Sequence, residues 1–490
     1  MSLLYDNRRI RELEGLAIDA GIDEYQLMQR AGLAAFNVLQ QRWPHAEKVI
    51  ICAGKGKNAG DGYILARLVH ESGHRVSIYS LFDESDLIGT VLQAAEEAKS
   101  IGVDIRRYEP GLPFDSDVIV DALLGTGFSG EMREPYASFI NTINEQNNDV
   151  FSLDVPSGLN PDTGSIHGAV IDADVTLTFI GLKQGFYTSK GPGRCGEIIV
   201  SQLDLSQDLY QKVNATAEII SWDQVRQVLP KRPRDSHKGL YGHVLVIGGD
   251  YGMGGAVRMA AEGALRAGAG LVTVATRPEH VPVVSSSRPE IMCHQVAEAD
   301  ELEPLLERAT VVVIGPGLGR SPWAEGLLFK TLASPLPKLL DADALNLLSE
   351  HPRYNSNWIL TPHPGEAARL LDTSCQDLQL DRFSAVQELQ KKYGGVVVLK
   401  GAGTLVKGSN DIVGICHAGN PGMASGGMGD VLSGIIGGFV AQGLDLFTAA
   451  EIGVYIHARA SDLAVEAGGG ERGLLATDVF TYMRQLVNPS

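Results

Sequence analysis

Short apolar runs alternate with helical segments twice along this chain, and that alternation restricts the fold more than any single residue does. In the first series the strand candidates are residues 48–52, 75–82, 118–124, 150–155, 175–180 and 197–201, with helical segments over 62–70, 87–99 and 136–146. Ahead of them Leu27, Met28, Ala31, Ala35, Val38 and Leu39 recur at helical spacing. A second series begins at His243, with strand candidates 243–248, 271–275, 310–314, 338–340, 358–361 and 396–400. Residues 404–406 and 412–415 then read as a hairpin, and 431–442 and 449–465 as two long helices. Such alternation predicts parallel sheets covered by helices on both faces. A chain of 490 residues has room for two such units. The pattern lapses between about 207 and 240, apart from a short helix over 222–229, so the expected domains are 1–215 and 216–490. Within the lapse, Lys231, Arg232, Arg234, His237 and Lys238 face only Asp235. That segment is either a solvated linker or a set of cations that folds over a phosphate.

Each series carries one glycine-rich segment. The first, Gly54-Lys55-Gly56-Lys57-Asn58-Ala59-Gly60-Asp61-Gly62, directly follows an apolar run; the second, 420–430, ends in Gly426-Gly427-Met428-Gly429-Asp430 before a helical pattern. A strand, a glycine turn and a helix N-terminus together present backbone N–H groups and a positive dipole end to an anion. Lys and Arg total 41 against 59 Asp and Glu, a net charge of −18, which argues against nonspecific nucleic-acid or anionic-membrane partners. Any phosphate must then be held by loop amides and a few local cations. The cysteines (Cys52, Cys195, Cys293, Cys375, Cys416) are scattered and lack C-x-x-C spacing. They imply neither zinc nor a disulfide framework, and point to a reducing compartment. Residues 1–11 are too polar for a secretory segment and no apolar run is long enough to span a bilayer, so a cytoplasmic protein is expected.

Gly54, Gly56 and Ala59 satisfy G-x-G-x-x-G/A, and Asp83 ends the next strand candidate, as in a dinucleotide-binding unit. Glycines at this place also arise simply from close helix–strand packing. Three further strand ends carry polar residues: Asp121 before Leu-Leu-Gly-Thr-Gly, Asp154-Val-Pro-Ser157-Gly, and Gly181-Leu-Lys183. In a parallel sheet these carboxyl ends line one crevice. Asp154 and Lys183 there suit an acid/base pair, and Asn58, Asp121 and Ser157 offer hard oxygen ligands to a cation. A lone Asp at a strand end is otherwise a turn or cap residue.

These motifs make residues 1–215 resemble the YjeF N-terminal domain family, the NAD(P)H-hydrate epimerases. The resemblance implies a Rossmann-like α/β/α three-layer domain that inverts C6 of the hydrated nicotinamide cofactors NADHX and NADPHX. By resemblance, Asn58, Asp121 and Ser157 hold K+, and Asp154 is the proton-transferring group. Lys57, Asn58, Ala59, Gly60 and Asp61 contact the substrate, together with Gly125, Thr126, Gly127, Phe128, Ser129, Gly130, Glu131 and Asp154. The family segment usually reads Asn-Asn-Gly-Gly-Asp-Gly, so Lys57 and Ala59 are departures.

In the second half, glycines before Asp430 let a backbone approach a transferring phosphoryl group, and Asp430 is positioned to take a proton from an attacking hydroxyl. The bland alternative makes Asp430 a helix N-terminal residue favoured by the dipole. Thr361-Pro-His363-Pro-Gly-Glu366 and Lys400-Gly401-Ala402-Gly403-Thr404 leave two other strand ends, without the lysine spacing of a P-loop. With Leu340-Asp-Ala-Asp-Ala-Leu345, these residues make roughly 225–490 resemble the ribokinase-like superfamily, closest to its NAD(P)H-hydrate dehydratase branch. That resemblance implies a ribokinase-like α/β domain that dehydrates the S hydrate to NAD(P)H. Nucleotide hydrolysis would drive it: ADP giving AMP and phosphate in bacterial members, ATP in eukaryotic ones, with Mg2+ bridging the phosphates. Ala256, Gly317, His363 and Asp430 would contact the hydrate, and Lys400, Gly401, Ala402, Gly403, Thr404 and Gly429 the nucleotide. Ribokinase-like and YjeF-type chains commonly assemble, so a homo-oligomer is expected. Three rival readings stand beside this one: a small-alcohol kinase, a noncatalytic nucleotide-binding first half, and a nicotinamide oxidoreductase.

Overall fold

The computed structural model describes residues 2–128 and 130–488. They form two compact units, Ser2–Ala217 and Glu218–Ser490.

The first unit is built on seven parallel strands: β1 (Lys48–Ala53), β2 (Arg75–Ser80), β3 (Asp104–Arg107), β4 (Val118–Ala122), β5 (Asp149–Leu153), β6 (Val175–Phe179) and β7 (Glu197–Ser201). Their order is β3-β2-β1-β4-β5-β6-β7, with the reversal at β1/β4 that opens a crevice at the carboxyl ends. The pleat explains the near-continuous apolar runs. Val49, Ile51 and Ala53 face one core with the helices Glu24–Arg42, Lys57–Glu71 and Gly89–Ser100. Ile50 and Cys52 face another with Phe139, Ile140 and Ile143 of helix Tyr136–Asn144. A sheet buried on both sides is the three-layer α/β/α arrangement.

One boundary differs in a way that matters. Residues 57–62 are not loop: the helix begins at Lys57, after Gly56 in extended conformation. Gly60 and Gly62 sit inside that helix at negative φ, because a Cβ on Gly60 would meet the Met28 sulfur at 2.5 Å and one on Gly62 would lie 2.8 Å from the Ala122 Cβ. They permit close packing, and only Gly54–Gly56 form the turn. The helices expected at 431 and 449 likewise start three residues earlier, at Met428 and Leu446. The second start is fixed by Asp445, whose carboxylate accepts from the N–H groups of Phe447 and Thr448.

The second unit contains β8 (His243–Ile247), β9 (Leu271–Thr276), β10 (Met292–Gln295), β11 (Val311–Ile314), β12 (Lys338–Leu340), β13 (Trp358–Leu360), β14 (Val396–Leu399), β15 (Thr404–Lys407) and β16 (Val413–Cys416). They run β10-β9-β8-β11-β12-β13-β14-β15-β16, parallel as far as β14, with β15 and β16 added as an antiparallel hairpin. The basic segment after 230 is tied down: Arg232 lies 3.6 Å over the Tyr241 ring and donates to Gln442 at 2.7 Å. Among the described residues no helix is long and apolar enough to cross a membrane, and all five cysteines are free.

Helices Gly254–Ala267 and Met428–Ala441 meet through glycines. A Cβ on Gly434 would overlap the Ala260 carbonyl oxygen, and one on Gly263 would stand 2.7 Å from that of Val431. Gly434→Ala is therefore expected to destabilise the protein by about 1–3 kcal/mol through overpacking, read as a lower denaturation midpoint. The control is Gly255→Ala on the same helix pair, where nothing lies within 4 Å of the added Cβ and alanine should be neutral or slightly stabilising. Equal midpoints for the two variants would refute the close approach.

Candidate functional site

At the carboxyl edge of the first sheet, Asp121, next to last in β4, lies opposite Ser152 of β5. Asp121 is fully buried and accepts four hydrogen bonds: Ser157 N at 2.8 Å, Ser157 Oγ at 2.6 Å, Ser152 Oγ at 2.9 Å and Leu123 N at 3.2 Å. Burial raises its pKa, and the Ser157, Leu123 and Ser152 donors oppose the rise. No cationic side chain pairs with it among the described residues. Asn58 projects from the first turn of helix Lys57–Glu71 into the same place. Its Nδ2 donates to Leu124 O at 2.8 Å and Leu153 O at 3.0 Å, while its Oδ1 is buried without a partner. An orphaned amide oxygen beside a buried carboxylate and a serine hydroxyl is a donor set that suits a hard, weakly charged cation.

Asp154 follows β5 with a left-handed backbone (φ 63°), a conformation that costs about 1–3 kcal/mol in a residue other than glycine and occurs where the surroundings hold it. What holds it is Lys183, whose buried ammonium donates to Asp154 Oδ1 at 2.7 Å, Thr178 Oγ1 at 2.6 Å and Phe179 O at 2.8 Å. All three N–H bonds are thereby used. Lys183 thus acts as a fixed counter-charge that aims Asp154. Asp154 Oδ2 would lie 3.4 Å from a Cβ on Gly125, and Asn58 Cβ 3.3 Å from it, so the loop from Gly125 passes between the two. In that loop Thr126 O accepts from Asn7 Nδ2 at 2.9 Å and Phe128 packs on the core; Ser129 lies outside the described residues. Lys57 points away to Glu14 at 2.7 Å and Glu24 at 2.6 Å. Asp83, the residue a dinucleotide site would aim at a ribose, is exposed and pairs with Arg107 at 3.4 Å.

In the second unit three strand ends and one helix start converge. Asp341, after β12, is buried and accepts from Lys400 Nζ, Thr361 Oγ1 and Ser433 Oγ, each at 2.8 Å. Lys400 leaves β14, and Ser433 stands one turn after Asp430 on helix Met428–Ala441. Gly427 begins that helix in the left-handed conformation (φ 94°), turning the chain so that Asp430 enters the pocket. A Cβ on Gly429 would lie 3.3 Å from Lys400 Nζ and 3.7 Å from Asp341 Oδ2, which puts this amide-rich turn against the lysine. Glu366 accepts from the His363 N–H at 2.8 Å and stands 4.0 Å from Lys400.

Asp341, Glu366 and Asp430 thus crowd one lysine. Burial first, then the charge of Asp341, pushes the Asp430 carboxyl up to about 7 against the pull of Lys400. Glu366 is also pushed up to about 7 by burial, with Lys400 pulling down and Asp341 up. The His363 ring is half-exposed, and its pKa is lowered by burial and by Lys400 and Arg369. Ala256 and Gly317 lie close together: a Cβ on Gly317 would stand 3.1 Å from that of Ala256.

Sequence reasoning missed the residue that shapes the 400–404 turn. Arg382 is buried, and its Nη2 donates to the carbonyls of Leu399 at 3.1 Å, Lys400 at 3.2 Å and Gly403 at 3.3 Å. Burial lowers its pKa to about 10. It lies inside a plain helical pattern, so no spacing marks it. Ser433 lies likewise within a helix, and Ser152 and Thr178 lie within buried strands, where no spacing marks them.

Known proteins match both halves. The family described as NAD(P)H-hydrate dehydratase matches residues 244–485, and that described as YjeF-related protein N-terminus matches 24–185. The bifunctional NAD(P)H-hydrate repair enzyme Nnr of Coxiella burnetii is 58% identical over 489 residues, covering 100% of both chains. The Escherichia coli enzyme of the same name is 44% identical over 481 residues, covering 98% of this chain and 93% of its own. Among solved structures, the ADP/ATP-dependent NAD(P)H-hydrate dehydratase from Bacillus subtilis, co-crystallised with ATP/Mg2+, is 29% identical with a TM-score of 0.51. It aligns with 55% of this chain and 97% of its own.

Proposed function

The chain belongs to the family of bifunctional NAD(P)H-hydrate repair enzymes, and from that premise we propose how each unit carries out its half of the repair. The first unit interconverts R and S NADHX and NADPHX at C6; the second dehydrates the S epimer at the expense of a nucleotide. The observation that carries the reading is the pair of carboxylates aimed into two separate crevices, Asp154 on Lys183 and Asp430 beside the Lys400 cluster.

In the second unit, Lys400 and the amides of 400–404 and Gly429 hold the phosphates of ADP, or of ATP. Asp430 takes the proton from the C6 hydroxyl as its oxygen attacks the terminal phosphoryl group. Phosphate then departs with the C6–O electron pair, helped by the ring nitrogen, and loss of a C5 proton restores the dihydropyridine. Mg2+, when bound with the nucleotide, neutralises phosphate charge, and Asp341 and Glu366 are the carboxylates disposed to hold it. Their excess over one lysine is what makes a cation fit.

In the first unit, Asp154 handles the proton that inversion at a hemiaminal carbon requires, with Lys183 holding it in place. K+ fits the Asn58, Asp121 and Ser157 oxygens, where it would supply a fixed positive charge at the phosphate end of the substrate. Exchanging K+ for Li+ is expected to slow R-to-S conversion severalfold while leaving dehydration of pure S hydrate unchanged. Equal rates in both salts would exclude a cation from this site.

The test of the whole reading is recovery of reduced-nicotinamide absorbance from mixed R and S NADHX with ADP or ATP, Mg2+ and K+. Full recovery is expected. Recovery confined to the S fraction would reduce the first unit to a binding module, and none would favour a small-alcohol kinase.

A further inference from the structure

Asp61 is a buried carboxyl that the mechanism above leaves unused. It sits at the end of the first turn of helix Lys57–Glu71, 9% exposed, and its side chain makes no hydrogen bond or ion pair among the described residues. Lys57, one turn earlier, is committed to Glu14 and Glu24. A largely buried carboxyl without a protein partner is available to a ligand. Asp61 stands three residues after Asn58 on that helix, about one turn on, and the charge of Asp154 acts on it. Burial first, then the charges of Asp154 and Glu14, hold the Asp61 carboxyl well above the usual range, with Lys57 opposing.

We infer that Asp61 is the proton donor to the departing C6 hydroxyl in the epimerisation, working with Asp154 as the base. The inference rests on the epimerase reading. In the step, the C6–O bond breaks and its electron pair stays on oxygen, which takes the Asp61 proton and leaves as water. The ring nitrogen lone pair forms C6=N+. Water then adds to the other face of C6 and yields its proton to the Asp154 carboxylate. One water leaves and one enters, and the proton returns from Asp154 to Asp61 through solvent or by turnover in the opposite sense. A largely buried, unpartnered carboxyl whose pKa burial raises, together with a second carboxyl that accepts from Lys183 at 2.7 Å, supplies the two groups such a step needs.

The test uses the full chain and follows R-to-S conversion of NADHX. In Asp61→Asn, kcat is expected to fall by about 10²-fold or more with KM within about threefold of the parent. Asp61→Glu, which retains an acid, should recover part of the rate. Dehydration of S hydrate, performed by the other unit, serves as the folding control. In ¹⁸O-water the parent should place label at C6 of the new epimer at the rate of inversion. A kcat within about threefold of the parent for Asp61→Asn, or a loss confined to KM, would overturn the assignment. Failure of the parent itself to convert the R hydrate would instead overturn the epimerase reading, and this inference with it.

Discussion

Replacing Asp430 with asparagine is expected to lower kcat for dehydration of the S hydrate by about 10³-fold, within the range that a general base contributes. The substitution keeps size and most of the packing at the helix start, so nucleotide affinity should change little. The pH dependence carries the sharper signature. A base must be ionised to act, and Asp430 is pushed up to about 7 by burial and Asp341. The wild-type kcat/KM should therefore rise about tenfold per pH unit on the acid side of that value and level off above it. In Asp430→Asn the limb should flatten. Glu366 is pushed up to about 7 as well and shares Lys400 with Asp341, so the wild-type limb belongs to a coupled set. Asp343→Asn should shift the limb to lower pH by removing a neighbouring negative charge, without abolishing it. Retention of more than about a tenth of the activity in Asp430→Asn would assign the proton to another group.

The fold was legible where apolar runs were long and strands buried on both faces. Residues 118–124 and 150–155 stood out because β4 and β5 lie between two cores, so neither face needs a polar residue to interrupt the run. The edge strands β3 (Asp104–Arg107) and β10 (Met292–Gln295) escaped notice because they are largely solvated and carry charged or polar residues where a pattern search wants alternation. The start of helix Lys57–Glu71 was misread for a different reason. Glycine is a helix breaker in isolation, yet a Cβ on Gly62 would lie 2.8 Å from that of Ala122 and the end of Met28 packs over Gly60, so tertiary packing overrides propensity.

The crevices were legible through strand ends. Asp121, Asp154, Lys183, Asp341 and Lys400 each leave a strand, and a parallel sheet brings such positions to one edge. What the sequence withheld was how each group is satisfied. That Lys183 spends all three N–H bonds on Asp154, Thr178 and Phe179 depends on a tight turn after β6, which no local pattern announces. The same holds for Arg382, a lone arginine in a helix until the 399–403 carbonyls fold around its guanidinium.

The Asp154–Lys183 pair separates rate from stability in a second large effect. Asp154→Asn should abolish most epimerisation, by about 10²–10⁴-fold in kcat, since it removes the carboxylate that Lys183 holds at 2.7 Å. The same change leaves the ammonium of Lys183, with a side chain 0% exposed, without its counter-charge. Breaking a buried pair from one side costs about 3–5 kcal/mol, so this single variant should also unfold earlier in denaturant. Lys183→Met should do the same from the other side, leaving Asp154 in its left-handed turn without the donor that fixes it. The double variant Asp154→Asn/Lys183→Met removes both charges and should regain much of the lost stability, because neither ion is then stranded. It should regain none of the epimerase rate. A double variant as unstable as the sum of the singles would mean that the two residues act independently, and Lys183 would lose its role as the group that aims Asp154.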